Sequence, residues 1–292
     1  MHFVVYENHR LGIVDGDVVI DVTDVVGSGG QGPGGPLAAL LEQGYDPAVF
    51  TPERLANLPR RALAQVRLKA PLPRPGKVIG APVNYLEHKA EMSVTQTIAD
   101  LGIFLKATSS VVGPGGPVRL PYLDKRTDQE AELAVVIGRT ASNISASEAL
   151  DYVFGYTCSL DITVRSTEDR STRKSFDTFT PLGPWVITTD EIADPHKLEV
   201  LCWVNGLLRQ QGNTRDLIFD VANLIAYTSS VMTLWPGDVI LTGTPAGVGP
   251  IVDGNQVIVE IEKIGKLAVT VTAEGAIPYD ARPGPRHNHS PR

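Results

Sequence analysis

Glu130 and Glu132 stand two residues apart at the head of an apolar run that ends at Gly138. Residues 130–137 read as a strand, in which successive side chains point to opposite faces. Glu130, Glu132, Ala134 and Val136 then share one face, and Ala131, Leu133, Val135 and Ile137 the other. Both faces are apolar over the second half, the pattern of a strand covered on both sides. Such a strand carries two carboxylates toward the interior, where an unpartnered carboxylate is costly. A shared divalent cation would relieve both. The competing reading is a strand that starts in solvent with its glutamates wet, since Glu is seldom fully buried. A third acid, Asp161, closes the apolar run 154–160. It suits either a site built at a strand end or a simple turn. Three carboxylates without sulfur or imidazole select a hard cation, Mg²⁺, Mn²⁺ or Ca²⁺. About three of six coordination places would then stay open to water and a chelating substrate.

Proton transfer near neutral pH points to histidine. Of the six histidines, His2 and His9 fall in the first segment, His196 in a polar turn after Pro195, and His287 and His289 in the tail. Only His88 lies among other candidates. On a helix His88 and Glu91 are three apart and share a face. A carboxylate there would orient the imidazole and raise its basicity, as a general base acting on water requires. The alternative is a solvated helix surface, with Glu87 and Lys89 alongside. Other chemistries lack their signatures. The sequence holds no GxSxG, no HExxH, no Cys–His zinc spacing and no GxGxxG between a strand and a helix. Neither Cys158 nor Cys202 has an activating neighbour.

These residues need a scaffold, and the totals bound it. A chain of 292 residues with 42% hydrophobic and 20% charged content fits a globular protein of about two domains. The net charge of −7 and the lack of a basic run argue against nucleic acid. No apolar stretch approaches the ~18 residues of a membrane span. The start of the chain lacks a signal-peptide pattern, and the two cysteines form no disulfide framework. The expectation is a reduced, cytoplasmic protein.

Residues 1–74 are expected to form a small β-rich domain, with a hairpin at Asp15-Gly16-Asp17. The glycine-rich stretch 27–36 lacks the ending of a phosphate loop and reads as a connector. Segments 37–43 and 52–58 suit short helices. Pro71, Pro73 and Pro75 mark the boundary to a second domain, 75–275. There 77–80, 103–106, 153–162, 185–188, 198–204, 238–241, 257–261 and 267–272 read as strands. Residues 217–232 make the best helix, with Asp216 as cap, and 165–180 read as an irregular loop. The tail 276–292 is rich in Pro, Arg and His and is expected to be disordered.

With these elements in order, the chain resembles the fumarylacetoacetate hydrolase family from about residue 77 to about 272. The likeness rests on Asn84-Tyr85-x-x-His88-x-x-Glu91, on Glu130-x-Glu132 with its apolar run to Gly138, and on Asp161-x-Thr163-x-Arg165. Lys174-Ser175-Phe176-Asp177, Gly183-Pro184, Val204-Asn205-Gly206 and Gln210-x-Gly212-Asn213-Thr214 follow. The stretch from Pro236 to Gly249, with Gly243-Thr244-Pro245 at its centre, completes the set. Each motif is modest alone; together and in order they are specific.

The resemblance implies a mixed β/α, mainly β fold, a sandwich-like roll behind the N-terminal β unit, and a homodimer. It implies Mg²⁺ or Mn²⁺ on Glu130, Glu132 and Asp161, with His88 and Glu91 activating water on a segment that closes over the substrate. Lys174 would stabilise oxyanion charge, and Tyr85, Arg165, Glu168, Gly243 and Thr244 would lie near the substrate. The implied reaction is hydrolysis of a C–C bond in an acylpyruvate or 1,3-diketo acid. The alternatives are decarboxylation of an oxaloacetate-type acid, a hydroxymuconate-type isomerisation or hydration, and non-catalytic binding of small acids. The sequence departs from the family pattern at Ser166-Thr167-Glu168, where an acid stands in place of a frequent glutamine, and at Ala81-Pro82-Val83.

Overall fold

The computed structural model describes residues 1–27 and 32–283. Residues 28–31 of the expected connector, the part of the expected disordered tail from 284 on, and His287 and His289 lie outside the described residues.

Among the described residues the chain is mixed α/β and mainly strand, in a twelve-stranded, a five-stranded and a three-stranded sheet. Ala131–Ile137 sits inside the largest, between Val153–Leu160 on one side and Val239–Leu241 on the other, both antiparallel to it. All seven of its residues are buried. Ala131, Leu133, Val135 and Ile137 pack into the larger core, while Ala134 and Val136 pack into a second core with Phe3, Val5, Leu37 and Leu72. One strand thus serves two cores, which is why its apolar run does not alternate with polar residues. Each fully buried Val, Leu or Ile contributes about 1.5–3 kcal/mol.

The strand is shorter than its sequence suggests. Glu130 lies outside it, between Thr127–Gln129 and Ala131–Ile137. Thr127–Gln129 belongs to the three-stranded sheet, paired with Thr163–Val164 and Gly249–Ile251. The neighbouring strand makes the same transfer, since Val153–Leu160 lies in the large sheet and Thr163–Val164 in the small one. Two antiparallel chains therefore change sheets side by side. The acids sit at the change-over, where the Asp161 N–H donates to the Glu130 carbonyl at 2.8 Å.

His2–Tyr6, Arg10–Asp15 and Val18–Asp21 form an antiparallel meander. Gly16, at φ +59°, makes the tight turn between the last two. His2 and Phe3 pair with Ile187 and Val186, so these strands continue the large sheet. The proline-marked boundary near residue 74 is therefore crossed by a shared sheet.

Two expectations need correction. The best helix runs Val221–Val231 and is capped by Asp220, whose side chain accepts from the Asn223 N–H. Residues 217–219 do not join it because Asn84 holds them: Ile218 N–H donates to its carbonyl, and Phe219 bonds its side-chain amide through both N–H and C=O. Asp216 ends a short 3₁₀ turn instead. The stretch 165–180 is not wholly irregular, for Arg170–Lys174 is helical behind an Asp169 cap. Among the described residues no helix is long and apolar enough to cross a membrane.

Candidate active site

At the sheet change-over Glu130, Glu132 and Asp161 converge. Each offers a carboxylate oxygen within 4.8 Å of the others, and all three are buried. Two lysines reach into the cluster. Lys174 Nζ donates to Glu130 Oε2 at 2.7 Å, Asp161 Oδ2 at 2.5 Å and Thr163 Oγ1 at 2.6 Å. Lys106 Nζ donates to Asp161 Oδ1 at 2.5 Å and the Phe179 carbonyl at 2.7 Å. Arg165 spans Glu130 Oε1 at 2.7 Å and Asp128 Oδ2 at 2.6 Å.

Glu132 is the exception. It is 2% exposed, and among the described residues no lysine, arginine or histidine comes within salt-bridge distance. Its Oε2 accepts from the Gly243 N–H at 2.6 Å. A side chain at 243 would meet Asn84 Cβ at 2.7 Å and would have to tolerate φ +100°, so only glycine lets that N–H approach. Burial, then the negative charge of Asp161 beside it, pushes the Glu132 carboxyl well above the usual carboxylate range. Burial acts on Glu130 as well, but Lys174 and then Arg165 outweigh it and hold that carboxyl low. A site of hard oxygen donors with one buried carboxylate lacking a cation fits a divalent metal ion. Glu130, Glu132 and Asp161 would hold it.

His88, on the Leu86–Glu91 helix, is buried, and its Nδ1 lies 3.0 Å from Glu91 Oε2. The other Glu91 oxygen accepts from the Gly247 N–H at 3.1 Å. With Nδ1 donating to the carboxylate, Nε2 is left as the basic nitrogen. The helix is set by the preceding turn. Asn84 donates to the carbonyls of Phe219 and Thr242, both at 2.8 Å, while Val83 takes φ +51°. That region is costly for a β-branched residue and persists only where surrounding bonds over-determine it.

His88, Glu130, Glu132, Asp161, Arg165, Lys174 and Thr244 line one small cavity of about 120 Å³. Thr244 Oγ1 accepts from Gln210 Nε2 at 2.7 Å, which leaves its own hydrogen free to donate. A larger cavity beside the N-terminal hairpin, about 620 Å³, gathers no comparable set of acids and bases among the described residues. Three other expected substrate residues do not line the acidic cavity. Tyr85 is buried with its hydroxyl unpartnered among the described residues. Gly243 serves Glu132 through its backbone. Glu168 turns toward the C-terminal segment, where Tyr279 Oη donates to it at 2.9 Å and Arg282 pairs with it. Sequence reasoning passed over Lys106, Arg170 and Arg173. Phe104 and Lys106 share one face of Phe104–Lys106 and are both buried, a period-two signal that was available for the lysine.

The chain is similar to several known proteins. The chain is 44% identical over 285 residues to a maleylpyruvate hydrolase of Aquipseudomonas alcaligenes, covering 91% of this chain and 97% of that protein. It is 41% identical over 245 residues to the mitochondrial oxaloacetate tautomerase FAHD2A of Homo sapiens, covering 79% and 78%. Among solved structures, the maleylpyruvate hydrolase of Sphingobium sp. SYK-6 in complex with manganese(II) and pyruvate superposes with a TM-score of 0.84 at 41% identity, covering 93% of this chain and 99% of that one. The family description "Fumarylacetoacetate (FAA) hydrolase C-terminal" matches residues 77–272, and the chain therefore belongs to the fumarylacetoacetate hydrolase family.

Proposed function

We propose that this protein is a divalent-metal-dependent hydrolase that cleaves a C–C bond in an acylpyruvate-type acid. The observation that carries the reading is a single cavity shared by three convergent carboxylates and a buried histidine oriented by its own carboxylate. The maleylpyruvate hydrolases among its relatives, one of them holding manganese and pyruvate, supply the substrate class and favour Mn²⁺, with Mg²⁺ as the close alternative and Ca²⁺ a third. The ion supplies Lewis-acid polarisation of the substrate's 2-oxo oxygen.

The chain's own residues do the rest. His88 Nε2 takes a proton from the water that attacks the distal carbonyl, and Glu91 stabilises the imidazolium through Nδ1. The returning proton goes to the departing pyruvyl carbon. The Lys174 ammonium, held at the cluster by Glu130 and Asp161, lies near the enolate charge as it develops. Arg165 and the Thr244 hydroxyl orient the pyruvyl carboxylate. Tyr85, Gly243 and Glu168 complete the surroundings, Gly243 by fixing Glu132 and Glu168 by anchoring the segment that carries Arg165 and Lys174.

The test separates base from metal site. His88→Ala should lower hydrolysis of an acylpyruvate about 10²–10⁴-fold and leave Mn²⁺ affinity unchanged. Asp161→Ala should lose both. Equal loss of metal affinity in His88→Ala would assign His88 a different task. A second reading is favoured by the oxaloacetate tautomerase relative, since enolisation of an oxaloacetate-type acid needs the same site but no attacking water. Persistence of that turnover in His88→Ala would select it.

The reading extends to the assembly and the segment over the site. The protein is a cytoplasmic homodimer, a state that light scattering and cell fractionation check. The segment of residues 86–100, which carries the exposed Leu86 and Met92, closes on the substrate, and a substrate analogue should raise its protection from hydrogen exchange. Limited proteolysis near residue 74 checks the division into 1–74 and 75–275.

A further inference from the structure

Residues 243–249 touch both halves of the site. The Gly243 N–H holds Glu132, and the Gly247 N–H holds Glu91, the partner of His88. Glu91 depends on that bond. Its side chain is 36% exposed, so packing does not fix it. Among the described residues its carboxylate has two hydrogen-bond partners, His88 and the Gly247 N–H. The place of the Gly247 amide therefore decides how Glu91 meets the imidazole. Gly247 is pressed against the strand Leu207–Asn213: it takes φ +96°, and a Cβ there would lie 1.9 Å from the Arg209 carbonyl oxygen. Gln129 holds it from the other direction. That residue is fully buried, stands one place before Glu130 and does not line the cavity. Its side-chain amide straddles Val248: Nε2 donates to the Gly247 carbonyl at 3.2 Å, and Oε1 accepts from the Gly249 N–H at 3.2 Å. The stretch 129–132 thus grips the loop at three places. Gln129 takes 247 and 249, the Ala131 N–H reaches Thr244 and Pro245 through the Gln210 amide, and Glu132 takes Gly243.

We propose that Gln129 is a positioning residue for the reaction: by fixing the Gly247 amide it holds Glu91, and through Glu91 it aims His88 at the water beside the three acids. The inference rests on the reading of His88 as the base. It adds to that reading the device that registers the base against the carboxylates, which lie on a different part of the chain. The same short stretch that carries Glu130 and Glu132 sets the distance to the base, so the two move together or not at all. A misplacement of about 1 Å in such a site costs about 10²-fold in rate. The slack left by one missing side-chain amide should cost less.

Gln129→Met keeps the length of the side chain and removes both bonds. In the Mn²⁺-loaded protein it should lower kcat for an acylpyruvate about 10-fold and leave KM and Mn²⁺ affinity unchanged. In a Glu91→Ala background the same substitution should lower kcat no further, because Glu91 is the link through which it acts. Hydrogen exchange of the Gly247 amide, followed by NMR, forms a second arm that needs no turnover. It should be faster than in the parent both in Gln129→Met and in Glu91→Ala. Where Gln129→Met does not fold, Gln129→Asn, one methylene shorter, should show a smaller effect in the same direction. An equal loss of kcat in the Glu91→Ala background would overturn the assignment, as would a fall in Mn²⁺ affinity that accounts for the lost rate, or a loss of stability with kcat unchanged. A parent that hydrolyses no acylpyruvate would remove the hydrolase reading and leave the decision to the exchange arm. There an unchanged Gly247 rate in Gln129→Met overturns the inference, and a faster one upholds the grip on Glu91.

Discussion

Two buried acid clusters in this molecule look alike in composition and differ in balance. In the N-terminal unit, Asp21 is 5% exposed, and both its oxygens are committed. Oδ2 accepts from Tyr6 Oη at 2.5 Å and pairs with Arg10, while Oδ1 accepts from the Thr23 N–H at 3.0 Å. One acid meets one cation, and nothing is left over. In the cavity, three acids share two lysines and Arg165, and Glu132 is left with a backbone N–H alone. A closed cluster such as the first holds a fold together. An open one keeps charge in reserve for something that arrives later. The acids are about equally buried, but the cations are not: the Arg10 side chain is 39% exposed, whereas Lys106 and Lys174 are enclosed with the acids.

The sharpest way to break this comparison is to neutralise the odd acid. Glu132→Gln should lower turnover by at least about 10³-fold, the several kcal/mol that Lewis-acid stabilisation supplies. At Mn²⁺ one hundred times the dissociation constant, the parent should gain about 2.7 kcal/mol of stability. The variant should gain almost none of it. Without metal, Glu132→Gln should be as stable as the parent or more so, because it removes a carboxyl that burial and Asp161 already penalise. An activity assay reads the first outcome, and thermal melts with and without Mn²⁺ read the stability outcomes. A metal-free variant that melts well below its parent would make Glu132 a member of a closed structural cluster.

The same substitution in the other cluster should behave in the opposite way. Asp21→Asn leaves Arg10 without its charge partner; because the Arg10 side chain is 39% exposed and water takes up part of the loss, the cost should be about 1 kcal/mol of stability, with turnover per folded molecule unchanged. The pH dependence follows from the direction of the shift. Burial tends to raise the Asp21 pKa, but Arg10, Tyr6 and Thr23 overcome it and hold the carboxyl at about 2, against 3.8 for the free side chain. On acidification the unfolded chain takes up this proton first. The contribution of Asp21 is therefore present above about pH 4 and is lost as pH falls toward 2. Denaturant melts should show the parent and Asp21→Asn converging across that window. A constant gap between them would locate the stabilisation elsewhere.

The open cluster was legible in the sequence as far as local pattern reaches. The alternation in 130–137 assigned Ala134 and Val136 to one face and Leu133 and Val135 to the other, and two separate cores receive them. The spacing of His88 and Glu91 gave a contact of 3.0 Å because both lie on one short helix. What escaped depends on distant partners. Nothing near Glu130 marks the change of sheet, which is set by pairing with residues 163–164 and 249–251. Lys106 was passed over because a lysine ending a strand normally reaches solvent, and only the approach of Asp161 and the Phe179 carbonyl explains its burial. The helix before residue 221 failed for the same reason: local propensity favoured it, and the Asn84 side chain from far away in the chain overrode it.

Glu168 joins the two kinds of cluster, and the smallest effect is expected there. Its carboxylate belongs to the segment that brings Arg165 and Lys174 to the acids, yet its partners, Tyr279 and Arg282, come from the C-terminal segment. Tyr279 is itself held by its N–H to Asp124 at 2.8 Å and by edge-to-face packing on Tyr122. The pair is partly exposed, with side-chain values of 40% for Arg282 and 24% for Glu168, so Arg282→Gln should cost no more than about 1 kcal/mol of global stability. Its effect on the site should still be measurable, because the bond restrains residues lying between two side chains that both grip Glu130. The expected outcome is a two- to threefold rise in KM, on the order of 0.5 kcal/mol, with kcat unchanged. Glu168→Gln in the Arg282→Gln background should recover part of the loss, since an amide leaves no unpaired charge where Arg282 had been. If Arg282→Gln changed stability and left KM untouched, Glu168 would belong with Asp21, as a closed pair that holds the fold and does nothing for the site.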